Sequence, residues 1–249
     1  MSVVLGTILI GVGALGLFIL AVVLRTRLRR TFRIIPAVLR MRRAIGLSVE
    51  DGKRLHVSLG QAGLLNPSAA ASLAGLSTLE RIAGQSLISD RPPIATSGDP
   101  ALSILSQDIL RVAYRTGNVS ELFDPDRGRL GGVTPLSYIA GTLPVMRDEQ
   151  VSTHLLVGNF GPEVVLLSEA ADQQRAFTLA ASDSLPAQAV LYAAAQEPLI
   201  GEELFAVPAY LQGNPAHLAS LQVQDIMRWL VILLIVIGAI LQILGVSPL

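Results

Sequence analysis

Three stretches of the chain repeat one pattern: a short apolar or β-branched run, a polar cap, then a run with helical period. RLHVSLG (54–60) leads through QAGLL to Asn66-Pro67 and SAAASLAGLSTLERIAGQSL. PPIATSG (92–98) leads to Asp99-Pro100 and ALSILSQDILRVAYRTGN, and RAFTLAAS (175–182) leads through Asp183-Ser184 to LPAQAVLYAAAQ. Strands that alternate with helices predict a largely parallel sheet covered by helices. VSTHLLVG (151–158) and PEVVLLSEA (162–170) read as two further strands, with GNFG (158–161) as a hairpin turn between them. The stretch 119–150, with Asp124-Pro125 and Gly131-Gly132, reads as a long irregular excursion over one edge. The expected fold is α/β: a mostly parallel, mixed sheet of about five strands covered by helices.

The two ends of the chain read differently from this middle. Residues 2–24 are uncharged and apolar, about the length a helix needs to cross a ~30 Å hydrocarbon core. Eight arginines and no acid follow: Arg25, Arg27, Arg29, Arg30, Arg33, Arg40, Arg42 and Arg43. Cations beside a span stay in the cytoplasm. A second apolar run covers residues 229–246, with Arg228 and Trp229 at its start. These features predict a two-pass membrane protein, with both termini outside and the centre in the cytoplasm. The expected layout is a transmembrane helix (1–24), a basic juxtamembrane amphipathic segment (25–45), a cytoplasmic α/β domain (46–213), a juxtamembrane helix (214–228) and a transmembrane helix (229–246). Leu28, Phe32, Ile35 and Leu39 follow i, i+4, i+7, i+11 spacing, with arginines on the other faces. That is the pattern of a helix on anionic lipid, so the eight arginines are expected headgroup contacts; they serve equally as a bare topology signal. Asn214-Pro215 reads as a cap and first helical residue. Small residues four apart in the first run, Ser2/Gly6 and Thr7/Gly11, suit helix association and are also common in any transmembrane helix.

Charge and composition exclude several chemistries. The formal net charge of zero conceals eight Arg in residues 1–49 against an acidic remainder with 11 Lys/Arg and 19 Asp/Glu. An acidic globular part repels phosphate, so nucleic acid is not an expected partner. There is no cysteine, hence no disulfide, thiolate nucleophile or cysteine-held metal. Lys53 is the single lysine, and Gly60-Gln61-Ala62-Gly63 is neither a dinucleotide fingerprint nor a phosphate loop. His56, His154 and His217 lack ligand spacing, and the first two fall in expected strands. Glu202-Glu203 fits a first helical turn. No catalytic residue, metal ligand or cofactor is expected.

Open α/β sheets bind ligands at the carboxyl ends of their strands. That edge would present Gly60, Gln61 and Asn66, then Ser97, Gly98 and Asp99, then Ser182, Asp183 and Ser184, where helix N-termini can hold an anion. All are also residue types that caps and turns require.

The strings RLHVSLG, SDRPPIATSGDP, VGNFGPEVVLLSEA, AQAVLYAAA, EPLIGEELFAVPAYL and HLASLQVQDIMRWL resemble an uncharacterised family of bacterial membrane proteins defined by a domain of unknown function. The resemblance implies a bacterial inner membrane and the layout of one span, a cytoplasmic domain and a second span, and transfers no activity. The leading expectation is a membrane-anchored, non-enzymatic interaction or assembly protein, a homo-oligomer or a subunit of a membrane complex. The alternative is a membrane-bound sensor or carrier for a small polar or anionic ligand at the strand ends. A carboxylate-based enzyme is the third reading.

Overall fold

The computed structural model describes residues 35–87, 89, 91–211 and separate positions between 221 and 238. The chain divides into two units, and Ile34–Gln212 forms the α/β unit. Its elements run α1 (Pro36–Glu50), β1 (Arg54–Gly60), α2 (Ala69–Gln85), β2 (Ile94–Ser97), α3 (Pro100–Thr116), β3 (Gly128–Leu130) and α4 (Pro135–Asp148). Then follow β4 (Val151–Asn159), α5 (Val165–Gln173), β5 (Phe177–Ser182), α6 (Leu185–Ala194), β6 (Glu197–Leu199) and α7 (Glu203–Leu211). The strands form one six-stranded sheet in the order β3-β2-β1-β4-β5-β6, and every pairing is parallel.

Both faces of the sheet are covered, which explains the continuous burial of β1, β2 and β4. α2 and α3 join the strands from β1 to β3 and pack together, with α7 also against α2. α1 reaches the same face: Ser48 Oγ bonds Thr153 Oγ1 at 2.8 Å. α4, α5 and α6 cover the other face, where Tyr138, Ile139, Leu167, Ala171, Ala187 and Leu191 close a core over Leu156 and Ala180. α4 carries the chain from β3 back across the sheet to β4, so the winding reverses between β1 and β4. This is a doubly wound sheet with its switch point at that pair.

Four expectations are corrected. The sheet has six strands and no antiparallel member. PEVVLLSEA is not a strand: Pro162–Val164 is a 3₁₀ turn and α5 follows, with Leu167, Ser168, Ala170 and Ala171 buried at helical spacing. The hairpin at 158–161 is therefore a strand-to-helix connection. The stretch 119–150 contains β3 and α4. α4 opens on a capping box between Thr134 and Ser137 with Pro135 behind the cap, and it tolerates Pro144 in its interior. Gly141 permits close contact, since a β-carbon there would lie 2.0 Å from the Gly131 carbonyl oxygen.

The membrane reading is also corrected. Among the described residues no helix is long and apolar enough to cross a membrane, against the expected two-pass membrane localisation. The longest helices, α2 and α3, have 17 residues each and are amphipathic. The first expected span, the 214–220 helix start and most of the second span lie outside the described residues. So do Arg25, Arg27, Arg29, Arg30 and Arg33. Pro36 is the first residue of α1, whose Ala37, Val38, Met41, Ile45 and Ser48 are buried. Arg40 pairs with Glu197, and Arg42 donates to the carbonyls of Tyr210 and Leu211. Arg40 and Arg42 thus bond the domain, and both are exposed, as is Arg43.

Candidate site at the carboxyl edge of the sheet

Because every strand is parallel, all strand-to-helix turns share one edge. The expected residues Gly60, Gln61, Asn66, Ser97, Gly98, Asp99, Asp183 and Ser184 all lie along it. Backbone bonds extend the ladder past the strand ends: Gly98 N–H donates to Gly60 O at 2.8 Å, Gln61 N–H to Asn159 O at 2.8 Å, and Gly131 N–H to Ser97 O at 2.9 Å. Gly60 takes φ +79°, and a β-carbon on it would sit 2.3 Å from the Asn159 carbonyl oxygen. Glycine there lets β1 and β4 meet at the switch point.

The side chains on this edge are largely satisfied by one another. Asp99 caps α3, its Oδ1 accepting from Leu102 N–H at 3.0 Å. Its Oδ2 reaches toward Gly63, where a β-carbon would stand 2.8 Å from it and 3.8 Å from Asn66 Nδ2. Gln61 Nε2 donates to Glu163 Oε1 at 2.9 Å. Asn159 Nδ2 donates to Asp183 Oδ1 at 2.7 Å and to Ser68 Oγ at 3.2 Å. Ser182 Oγ accepts from the backbone of Phe160 and Ser184. The edge therefore brings Asn66 together with Asp99, and ties Asp183 to the start of α2 through Asn159. Asn66 does not cap α2; Ser68 holds that position, without a side-chain bond to the helix's own backbone. Ser184 precedes α6 and likewise makes no side-chain cap.

Sequence reasoning missed Asn159 and Glu163, because the segment after β4 reads as a hairpin and a strand where the structure has α5. It also missed the apolar side chains standing on the edge. Leu65 is fully exposed, and Val133, Leu136 and Leu185 are 67%, 70% and 77% exposed. Leu65 and Leu185 lie between a strand and the body of its helix in the βα pattern, which was a readable signal; Val133 and Leu136 fall in the stretch 119–150 that reads as irregular.

Beneath α4 lies a second polar cluster that is wholly buried. His56 and His154 are register partners on β1 and β4, with Nδ1···Nδ1 3.1 Å. His56 Nε2 meets Thr96 Oγ1 at 2.9 Å, Thr96 meets the Tyr138 hydroxyl at 3.2 Å, and Tyr138 also bonds Ser58. A neutral imidazole has one donor and one acceptor. With His154 Nδ1–H donating to His56, His56 Nε2–H donates to Thr96 and the hydroxyl protons pass on to Tyr138 and Ser58. Only the His154 Nε2 lone pair then lacks a partner. The reverse assignment strands a buried N–H, the costlier defect. Burial holds His56 down to about pKa 3, helped by Arg129, and burial with His56 beside it holds His154 well below the ordinary histidine range. Burial likewise raises the Tyr138 phenol. The cluster is a neutral strut between α4 and the sheet.

Among the described residues no three histidines or carboxylates gather as metal ligands. A groove of about 410 Å³ lies between the C-terminal halves of α2 and α3, lined among others by Glu80, Arg81, Leu87, Asp108 and Val112. It lies toward the amino ends of the strands, away from the expected site residues.

No curated protein matches the chain, and no solved structure matches it. A family model covers residues 2–248, nearly the whole length. The chain belongs to the family defined by the domain of unknown function DUF6754.

Proposed function

We propose that this chain is a non-enzymatic interaction or assembly module that docks a protein partner on the carboxyl edge of its parallel sheet. The observation that carries this reading is the combination found there. The polar side chains are paired among themselves, while Leu65, Val133, Leu136 and Leu185 stand in solvent around them. Reactive sites keep polar groups aimed at substrate; docking sites present apolar anchors within a satisfied polar frame. A photo-crosslinking residue placed at Leu65 or Val133 in cells should capture a discrete polypeptide, and one placed at exposed Tyr192 on α6 should not. Equal capture at all three positions, or none at the edge, would contradict the proposal.

A second reading is a small polar ligand at the β1/β4 switch point, favoured by the strand order alone. Native mass measurement of the purified chain separates the two. A small molecule retained by the wild type and lost on Gly60→Val substitution would support the ligand.

A further inference from the structure

We infer that copies of this chain join head to tail, the outer face of α1 in one copy lying in the groove between α2 and α3 of the next. Both surfaces are distinct from the docking edge. α1 buries Val38, Met41 and Ile45 and touches β1, β4, β5 and β6. Leu39, Arg43 and Leu47 stand on its other side at i, i+4 and i+8 spacing, and all three are exposed. Arg40 pairs with Glu197, which leaves Arg42, Arg43 and Glu50 as the charges of this face. Two cations against one acid give it a positive surplus.

The groove carries the opposite sign. Its charged lining residues are Glu80, Asp108 and Arg81, two acids against one base, and Arg111 and Arg115 of α3 do not line it. Leu87, Val112 and Ala113 supply apolar walls. Gly84 keeps it open, since a β-carbon there would meet nothing within 4 Å. The lengths agree: Leu39 to Leu47 measures about 12 Å along a helix, and Asp108 to Gly117 about 14 Å. A leucine ridge seated between two helices is ridges-into-grooves packing, and it brings Arg43 beside Glu80 and Asp108. In its own chain α1 is fixed on the strands, so its outer face can reach only the groove of another copy. Ridge and groove are different surfaces, so the contact is heterologous and repeats from copy to copy.

The chain has no cysteine, so introduced ones report the contact. The 249-residue chain is made with Leu47→Cys and, separately, with Val112→Cys, both at exposed positions, and the two are mixed and oxidised with diamide. The mixture should give a disulfide-linked dimer, and Leu47→Cys mixed with Tyr192→Cys, exposed on α6, should not. One chain carrying both Leu47→Cys and Val112→Cys should give a ladder of linked copies. Arg43→Glu in the Leu47→Cys chain should cut the dimer yield about five-fold, and Asp108→Arg in the Val112→Cys chain should restore it. Gly84→Trp in the Val112→Cys chain fills the groove without a clash and should abolish the dimer. Equal yield with Tyr192→Cys would overturn the assembly, and so would a yield that Arg43→Glu and Gly84→Trp leave unchanged. No linked dimer, with a co-purifying small molecule that Gly84→Trp displaces, would overturn it and assign the groove to that ligand. None of these outcomes alters what the crosslinks at Leu65 and Val133 report about the docking edge.

Discussion

Lowering the pH from 8 to 5 should destabilise this domain through His56 and His154. Both imidazoles are held neutral in the folded state, His56 down to about pKa 3, against 6.5 in the unfolded chain. Between those values the unfolded state binds more protons than the native one, so stability is complete above pH 6.5 and falls as the pH drops. Between pH 8 and pH 5 His56 alone costs about 2 kcal/mol, at 1.36 kcal/mol per unit below its unfolded value. His154 is shifted in the same direction and adds to the loss. The geometry gives the reason: protonating His56 puts two N–H donors face to face across the 3.1 Å Nδ1···Nδ1 contact, and protonating His154 creates a buried Nε2–H with no acceptor. Urea unfolding followed by far-ultraviolet circular dichroism at pH 8, 7, 6 and 5 reads the effect. With a denaturant slope of ~2 kcal/mol per molar, His56 alone should lower the midpoint by about 1 M. His56→Asn should reduce the pH dependence. A midpoint unchanged from pH 8 to pH 5, or a pH dependence untouched in that variant, would refute the buried neutral pair.

Three further substitutions probe other parts of the fold. Gly60→Ala should cost at least about 2 kcal/mol, from the left-handed backbone and the clash with the Asn159 carbonyl, read as a lower urea midpoint. Met41→Ala should cost about 2–5 kcal/mol because α1 packs on the sheet; a helix lying free of the domain would lose nothing. Tyr138→Phe should cost about 1–3 kcal/mol by leaving Ser58 and Thr96 without their shared buried partner, measured by the same unfolding curve.

The fold was legible where local signals agreed with the tertiary outcome. β1 spans 54–60 as the β-branched run predicts, and α2, α3 and α6 follow their polar turns. Failures occurred where one residue type has two uses. Gly131, Gly132 and the prolines of 119–150 read as breakers, yet Pro144 lies inside α4 and Gly131 is where that helix closes on the β3 turn. Val164, Val165 and Leu167 read as strand, yet their burial has helical spacing once the 3₁₀ turn at Pro162 begins the segment. The apolar spacing between Ile35 and Leu39 and the arginines around it read as a lipid face. In the structure the sheet takes Ile35, Ala37 and Val38, and Leu39 is exposed. The edge residues were found because a parallel sheet gathers its turns on one side. Their pairing was not, because Gln61–Glu163 and Asn159–Asp183 depend on α5 following β4. The histidine pair depends on the β1/β4 register, which neither strand encodes alone.

Amide hydrogen exchange of the 249-residue chain, alone and with the polypeptide captured by the crosslink at Leu65, tests the docking edge most directly. Slower exchange should be confined to residues 61–68, 131–134, 159–164 and 183–184, the turns that carry the leucines and carboxylates. Slowing over the outer faces of α2 and α3 beside their groove, with those turns unchanged, would contradict it.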